Sequence, residues 1–231
     1  MTTLRLLSSM APKDCLAAAI ELYEQSHPDQ IEAHAAGGVD VLGRIAAGEV
    51  ADIVVLADDA IDKLQQEGHV RPASRRPLLS SGIAVASRPS APYSDISNEP
   101  ALRTAVLDAP SLSYSTGPSG RYLESLFTRW KILDTIRTRI IVPPPGTPVA
   151  SLVADGTATL GFQQLSEMLR VPGIRVLGAL PPEIQRETVF TGAITSVSAQ
   201  QESAREFLIF LASPALAPIW LKFGMSGVKC E

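Results

Sequence analysis

Residues 51–57, ADIVVLA, form a nearly unbroken apolar run between the helix stop Gly48 and the acids Asp58 and Asp59. Such a run reads as a strand covered on both faces, which is the environment of a parallel sheet clothed in helices. Its surroundings agree. LRLLSS (4–9) reads as a strand, PKDCLAAAIELYEQS (12–26) as a helix and QIEAHAA (30–36) as a strand. GGVDVLGRIAAGEV then turns into a second helix, and DDAIDKLQQEG (58–68) is a third with an acidic first turn and a glycine stop. This βαβαβα order predicts a doubly wound, mostly parallel sheet.

The pattern resumes after Leu79. SGIAVASRP predicts a strand, NEPALRTAVLDA a helix and SLSYS a short strand. RTRIIVPPPGTP predicts a strand and a turn, VASLVADG a short helix and TATLGFQQL a strand. GIRVLGAL and TVFTGAITSVS predict two more strands, and SAREFLIFLASPALAPIWLKFG the C-terminal helices. The expected organisation is two similar α/β lobes: residues 1–81 with 193–231, and residues 82–192. One continuous sheet is the alternative.

Composition excludes several function classes. In 231 residues the net charge is −4 and no basic stripe appears, which argues against a nucleic-acid partner. RPASRR (71–76) is the densest basic patch and reads as a solvated loop. Cys15 and Cys230 are not in a CxxC pair, and the three histidines show no metal spacing, so neither a metal nor a cofactor is expected. The start, MTTLRLLSSMAPKD, lacks a basic segment followed by an apolar core, and no run approaches the roughly 18 apolar residues of a membrane span. A cytoplasmic location is therefore the expectation.

Four places share one design, in which a strand ends, small or turn-forming residues follow, and a helix begins. They are SSMAP (8–12), AAGGVD (35–40), STGPSG (115–120) and PPPGTP (143–148). A helix N-terminus exposes unpaired N–H groups and the positive end of its dipole, and small residues there let an anion approach the backbone. Each mouth alone is also explained by turn sterics; four together favour a small-anion site.

GRIAAGEVADIVVLADDAIDKLQQEG, GPSGRYLESL and PVASLVADGTATLGFQQLSEM resemble three segments of the periplasmic molybdate-binding family of type II solute-binding proteins, a likeness that spans nearly the full length. The resemblance implies a two-lobed type II periplasmic-binding-protein-like α/β fold, each lobe a mostly parallel sheet flanked by helices, with a ligand cleft between the lobes. It carries ligand contacts onto Ser8, Ser9, Met10 and Ala11, onto Gly37, Gly38 and Val39, onto Pro118, Ser119, Gly120 and Arg121, and onto Gly146 and Thr147. Ala11 stands where that family has a serine, Gly37–Val39 offer only backbone N–H groups, and Gln164 stands where a tyrosine closes on the oxyanion. With Gln163 beside Gln164, these departures look like a branch of the family that includes aconitate isomerase. That likeness implies a polycarboxylate ligand and an allylic proton shift; a non-catalytic anion-binding protein is the alternative.

Such a shift requires a general base. His34, at the end of the second predicted strand, Lys13, in the first helical turn, and Ser9 are the candidates, and each has a plain structural reading. Asp58 and Asp59 read as helix-start acids, Asp52 as a loop tie, and Trp130 and Trp220 as core. Tyr114 and Tyr122 fit either the ligand site or the core.

Overall fold

The computed structural model describes residues 2–144 and 147–228. It divides into two compact units, Met1–Ser80 with Thr188–Glu231, and Ser81–Glu187. In the first unit, β1 (Thr3–Ser9), α1 (Lys13–Glu24), β2 (Gln30–Ala36), α2 (Gly38–Ala46), β3 (Ile53–Ala57) and α3 (Asp58–Gln66) follow the predicted alternation. β1 lies between β2 and β3 and is parallel to both.

The apolar run of β3 is fully buried, and its side chains divide between two cores. Ile53 and Val55 join Leu4 and Leu6 of β1 against Leu16 and Tyr23 of α1. Val54 and Leu56 join Leu7 against Val41, Ile45, Ile61 and Leu64 of α2 and α3. Each large aliphatic side chain buried this way contributes about 1.5–3 kcal/mol. Both faces of the strand are thus covered, which is why its sequence does not alternate. Asp52 ties the strand's approach, accepting from Arg5 N at 2.9 Å and Ser198 Oγ at 2.6 Å.

β4 (Arg76–Ser87) carries the chain into the second unit. There follow α4 (Glu99–Asp108), β5 (Leu112–Tyr114), α5 (Pro118–Arg129), α6 (Leu133–Ile136), β6 (Ile140–Ile141), α7 (Val149–Ala154), β7 (Leu160–Gln164), α8 (Leu165–Met168) and β8 (Arg175–Ala179). β5 is parallel to β6 and β7, while β7 and β8 run antiparallel to the second half of β4. Phe162, Leu112 and Val85 face Phe127 and Trp130 of the α5 region; Ala84 and Ala86 face Ala150 and Met168 on the other side.

β9 (Glu187–Ile194) returns to the first unit and lies antiparallel to β3. α9 (Gln201–Leu211), α10 (Ala217–Lys222) and β10 (Ser226–Gly227) complete it, with Phe207, Leu211 and Trp220 in its larger core.

Two local expectations are corrected. The strand predicted across RTRIIV shrinks to Ile140–Ile141, because Arg137–Arg139 continue α6 as a 3-10 turn and the Arg139 guanidinium donates to the carbonyls of Leu107 and Ala109 at the end of α4. The strand predicted to run through Leu165 stops at Gln164, where α8 begins.

Candidate functional site

In the first unit β1 and β2 end side by side, Ser9 opposite Ala36. α1 follows through Met10, Ala11 and Pro12, and α2 follows through Gly37; neither helix has a side-chain cap. The first N–H groups of both helices therefore have no intrahelical partner. Ser8 and Ser9 are buried, 3% and 8% exposed. Among the described residues the buried Ser9 hydroxyl has no hydrogen-bond partner. A Cβ placed on Gly38 would lie 3.5 Å from Ser9 Cβ, so the serine packs directly on the N-terminus of α2. A buried hydroxyl left unpaired is costly; it stands beside the first turn of α2, while at α1 the Lys13 N–H already donates to Met10 O at 3.1 Å.

The neighbouring mouth, where β3 meets α3, is already filled. Asp58 accepts from Thr191 Oγ1 at 2.5 Å and pairs with Arg75 at 2.7 Å. Burial works to raise its carboxyl, but the Thr191 hydrogen bond and Arg75 outweigh it and hold the carboxyl below its ordinary value. The mouth of α3 thus holds an anion that the protein itself pairs; α1 and α2 also carry a first-turn acid each, Asp14 and Asp40, and what sets their edge apart is the unpartnered Ser9 hydroxyl.

His34 is exposed on β2, opposite Leu7 and short of the strand's end. Its electrostatic neighbour is Glu49, whose carboxyl is held low first by hydrogen bonds from Arg44 and then by surrounding positive charge. The structure therefore puts His34 with the Arg5–Glu49–Arg44 cluster rather than with the buried serines. Lys13 opens α1 with its side chain exposed, and Val39 is exposed in the first turn of α2. Cys15 is a structural thiol: desolvation pushes it up to about 12, and its Sγ donates to Pro12 O at 3.1 Å.

In the second unit the parallel pairing of Tyr114 with Phe162 brings the ends of β5 and β7 to one edge. Pro118 opens α5 after an uncapped Gly117, and Ser119 and Gly120 are buried behind it. A Cβ on Gly120 would fall 1.6 Å from Ser115 O, so only glycine lets the first turn of α5 seat on that carbonyl. Arg121 lies in the same turn with its side chain exposed. Thr147 donates its N–H to Pro144 O at 3.0 Å in the turn before α7. Gly146 lies outside the described residues.

Gln163 and Gln164 are both buried at the end of β7, 3% and 4% exposed. Gln163 is committed inside the protein: its Oε1 accepts from Ala150 N at 3.1 Å, and its Nε2 donates to Glu167 Oε1 at 2.8 Å. The amide expected to meet a ligand carboxylate instead caps α7 and holds a carboxylate of the chain. Burial pushes the Glu167 carboxyl up to about 7, against the smaller lowering effect of the Gln163 hydrogen bond. Its residue surface remains partly open. Sequence reasoning missed Glu167, although FQQLSE carries a signal for it, since a Gln and a Glu four residues apart span a strand end and the first turn of the next helix. The two tyrosines resolve as structural: Tyr114 is buried and donates to Glu124 at 3.3 Å, and Tyr122 donates to Ile184 O at 2.6 Å.

Among the described residues no cluster of His, Cys, Asp or Glu could hold a metal ion. Each edge by itself can offer hydroxyl and backbone donors to an anion, and in the second unit the Glu167 carboxyl, with an affinity for protons near neutrality, can move a proton.

The chain matches the bacterial extracellular solute-binding protein family over residues 4–226. It is 38% identical, over 100% of its own length and 90% of the relative's, to an aconitate isomerase from a Pseudomonas species. Among solved structures it aligns with the periplasmic molybdate-binding protein of Azotobacter vinelandii at a TM-score of 0.82 and 18% identity, covering 99% of this chain and all of that one. The sulfate-binding protein SubI of Mycobacterium tuberculosis gives a TM-score of 0.82 at 17% identity, covering 99% of this chain and 88% of that one. These two likenesses carry the fold, that of the type II periplasmic binding proteins. The protein belongs to the bacterial extracellular solute-binding protein family.

Proposed function

We propose that the protein is an isomerase of a small unsaturated tricarboxylate, interconverting cis- and trans-aconitate by an allylic proton shift. The observation that carries this reading is the identity to an aconitate isomerase, which extends along the whole chain. Residues in each unit support this reading. In the second unit Ser119 and the first turn of α5 offer donors to a carboxylate; in the first unit the Ser9 hydroxyl and the N-terminus of α2 offer a set of their own. The base is Glu167, which replaces His34, Lys13 and Ser9 in that role.

In its ionised form Glu167 takes a proton from the substrate CH2. The C–H electron pair enters an allyl system conjugated with a carboxylate, and the double bond moves one carbon along. The same proton, or one exchanged with solvent, returns to the former vinylic carbon. Donors at helix N-termini stabilise the charge that accumulates on the carboxylate. A base with a pKa near 7 is half ionised at neutral pH and can both accept and return the proton.

A second reading, non-catalytic binding of the same class of anion, is favoured by the Ser9 edge alone, which needs no base. Proton NMR of the purified protein with cis-aconitate in D2O separates the two. Appearance of trans-aconitate above a protein-free control, with deuterium in the methylene, is the expected result. Saturable binding without conversion at high protein concentration would replace the isomerase reading with the binding one.

A further inference from the structure

The basic run RPASRR forms one wall of a cavity of about 570 Å³ in the first unit. Arg71, Ser74 and Arg76 line it from this run, and Gln201, Glu202 and Arg205 from the first turns of α9. The remaining arginine of the run, Arg75, turns away to pair with Asp58 and Asp62. Among the described residues, neither Arg71, Arg76 nor Arg205 has a carboxylate partner, even though Glu202 shares the cavity. Among the described residues the buried Arg71 Nε has no partner, and the far end of that guanidinium donates to Ser196 O at 3.3 Å.

The wall is held in place rather than loose. Arg71 N donates to Ile194 O at 2.9 Å, Ser74 Oγ donates to Arg71 O at 2.6 Å, and Ile194 N donates to Ser74 Oγ at 2.9 Å. α9 has no side-chain cap, so its dipole adds to the positive field. Three guanidinium groups around one cavity repel each other, and a single carboxylate does not balance them. The rest of the lining is apolar: Pro72, Ala73, Ile194 and Leu208. The cavity adjoins Ile194, which pairs with Ile53 at the start of β3, whereas the donor-lined mouths lie at the other ends of the parallel strands. The length of β3, about 13 Å, separates these two edges of the sheet.

We propose that this cavity is a second ligand site, which takes a small organic molecule with a doubly charged phosphate or dicarboxylate head and a hydrocarbon body. The guanidinium groups of Arg71, Arg76 and Arg205 bind the head in forked hydrogen bonds, and the apolar wall covers the body. Its volume is that of a small-molecule pocket. This second site does not depend on the protein being an isomerase.

The test is calorimetric and NMR titration of the full chain with phenyl phosphate, benzylmalonate, inorganic phosphate and phenol. Saturable binding of at least one of the two dianions, with amide shifts at Arg71, Ser74 and Gln201, is expected, and which one binds identifies the head. Phenol is expected not to bind, and inorganic phosphate to bind more weakly. Arg205→Gln, on an exposed helical position, is expected to weaken the dianion roughly tenfold, the loss of one charged hydrogen-bonding partner, without lowering the melting temperature of the free protein. Ser9→Ala is expected to leave this binding unchanged. Absence of saturable binding by both dianions overturns the site, as does equal affinity in the Arg205→Gln variant. Equal binding of inorganic phosphate and phenyl phosphate overturns the role given to the apolar wall.

Discussion

Replacing Glu167 by glutamine is expected to make the protein more stable and inactive. The carboxyl has an ordinary value of 4.5 and is pushed up to about 7 by burial, with only the Gln163 amide answering it. The folded state therefore binds this proton more tightly than the unfolded chain does. The sign follows: the fold has its full stability below pH 4.5, loses some as pH rises from 4.5 to about 7, and loses no more above that. A displacement of that size amounts to about 3 kcal/mol, an upper bound because the residue's surface is partly open and water screens the charge. Glutamine stays neutral at every pH, and its amide oxygen can still accept from Gln163. Urea unfolding of both proteins from pH 4 to pH 8.5 reads the difference. The variant should match the wild type at the acid end and exceed it by up to about 3 kcal/mol at the alkaline end, while aconitate turnover is lost at every pH. A stability difference that stays flat from pH 5 to pH 8 would refute the assignment of a desolvated carboxyl. Full turnover in the variant would refute its role as base.

Ser9→Ala removes an unpaired buried hydroxyl, so the free protein should be unchanged or about 1 kcal/mol more stable, while affinity for cis-aconitate falls roughly tenfold; chemical unfolding with and without ligand measures both. Gly120→Ala places a methyl 1.6 Å from a backbone oxygen and should cost about 3 kcal/mol or prevent folding. Gly117→Ala is its control, because the nearest atom to the added carbon is a serine hydroxyl at 3.6 Å, and thermal melts should place it within about 1 kcal/mol of wild type. His34→Gln should leave turnover near the wild-type level in the same NMR assay, since the ring is exposed beside Glu49.

The fold was legible where one residue pattern admits one environment. The unbroken apolar run of β3 required cover on both faces, and the two cores on either side of it supply that cover. Trp130 and Trp220, read from helical spacing, are buried as expected. The mouths were legible because small residues between strand and helix are visible in a line of text. Electrostatic environment was not. His34 looks like a candidate base from its position near a strand end, yet whether a side chain on an edge strand meets a ligand or a neighbouring salt bridge depends on register and on Arg44 and Glu49, which lie on the next helix and the turn after it. Glu167 looks like any first-turn helix acid. Its value follows from burial and from the amide of Gln163, and no local pattern reports burial of a charged group.

The candidate functional residues can be recognised by what they cost. Asp58 and Ser9 stand near the ends of adjacent strands, and the fold treats them in opposite ways. Asp58 has Thr191 and Arg75, and its helix mouth is closed by groups that stabilise the folded chain. Ser9 is more deeply enclosed than the half-open Asp58 side chain and has no partner among the described residues, although the N-terminus of α2 sits against it. In the second unit Glu167 has, among the described residues, a single amide where a buried carboxylate would be stabilised by several donors or a cation. Neither Ser9 nor Glu167 contributes to stability as it stands. A polycarboxylate would supply an acceptor for the first, and a transferable proton gives the second its use. Stabilising substitutions at both positions, each at the expense of ligand binding or turnover, are the signature expected of residues kept for chemistry; if both variants proved less stable and fully active, these residues would be ordinary parts of the scaffold.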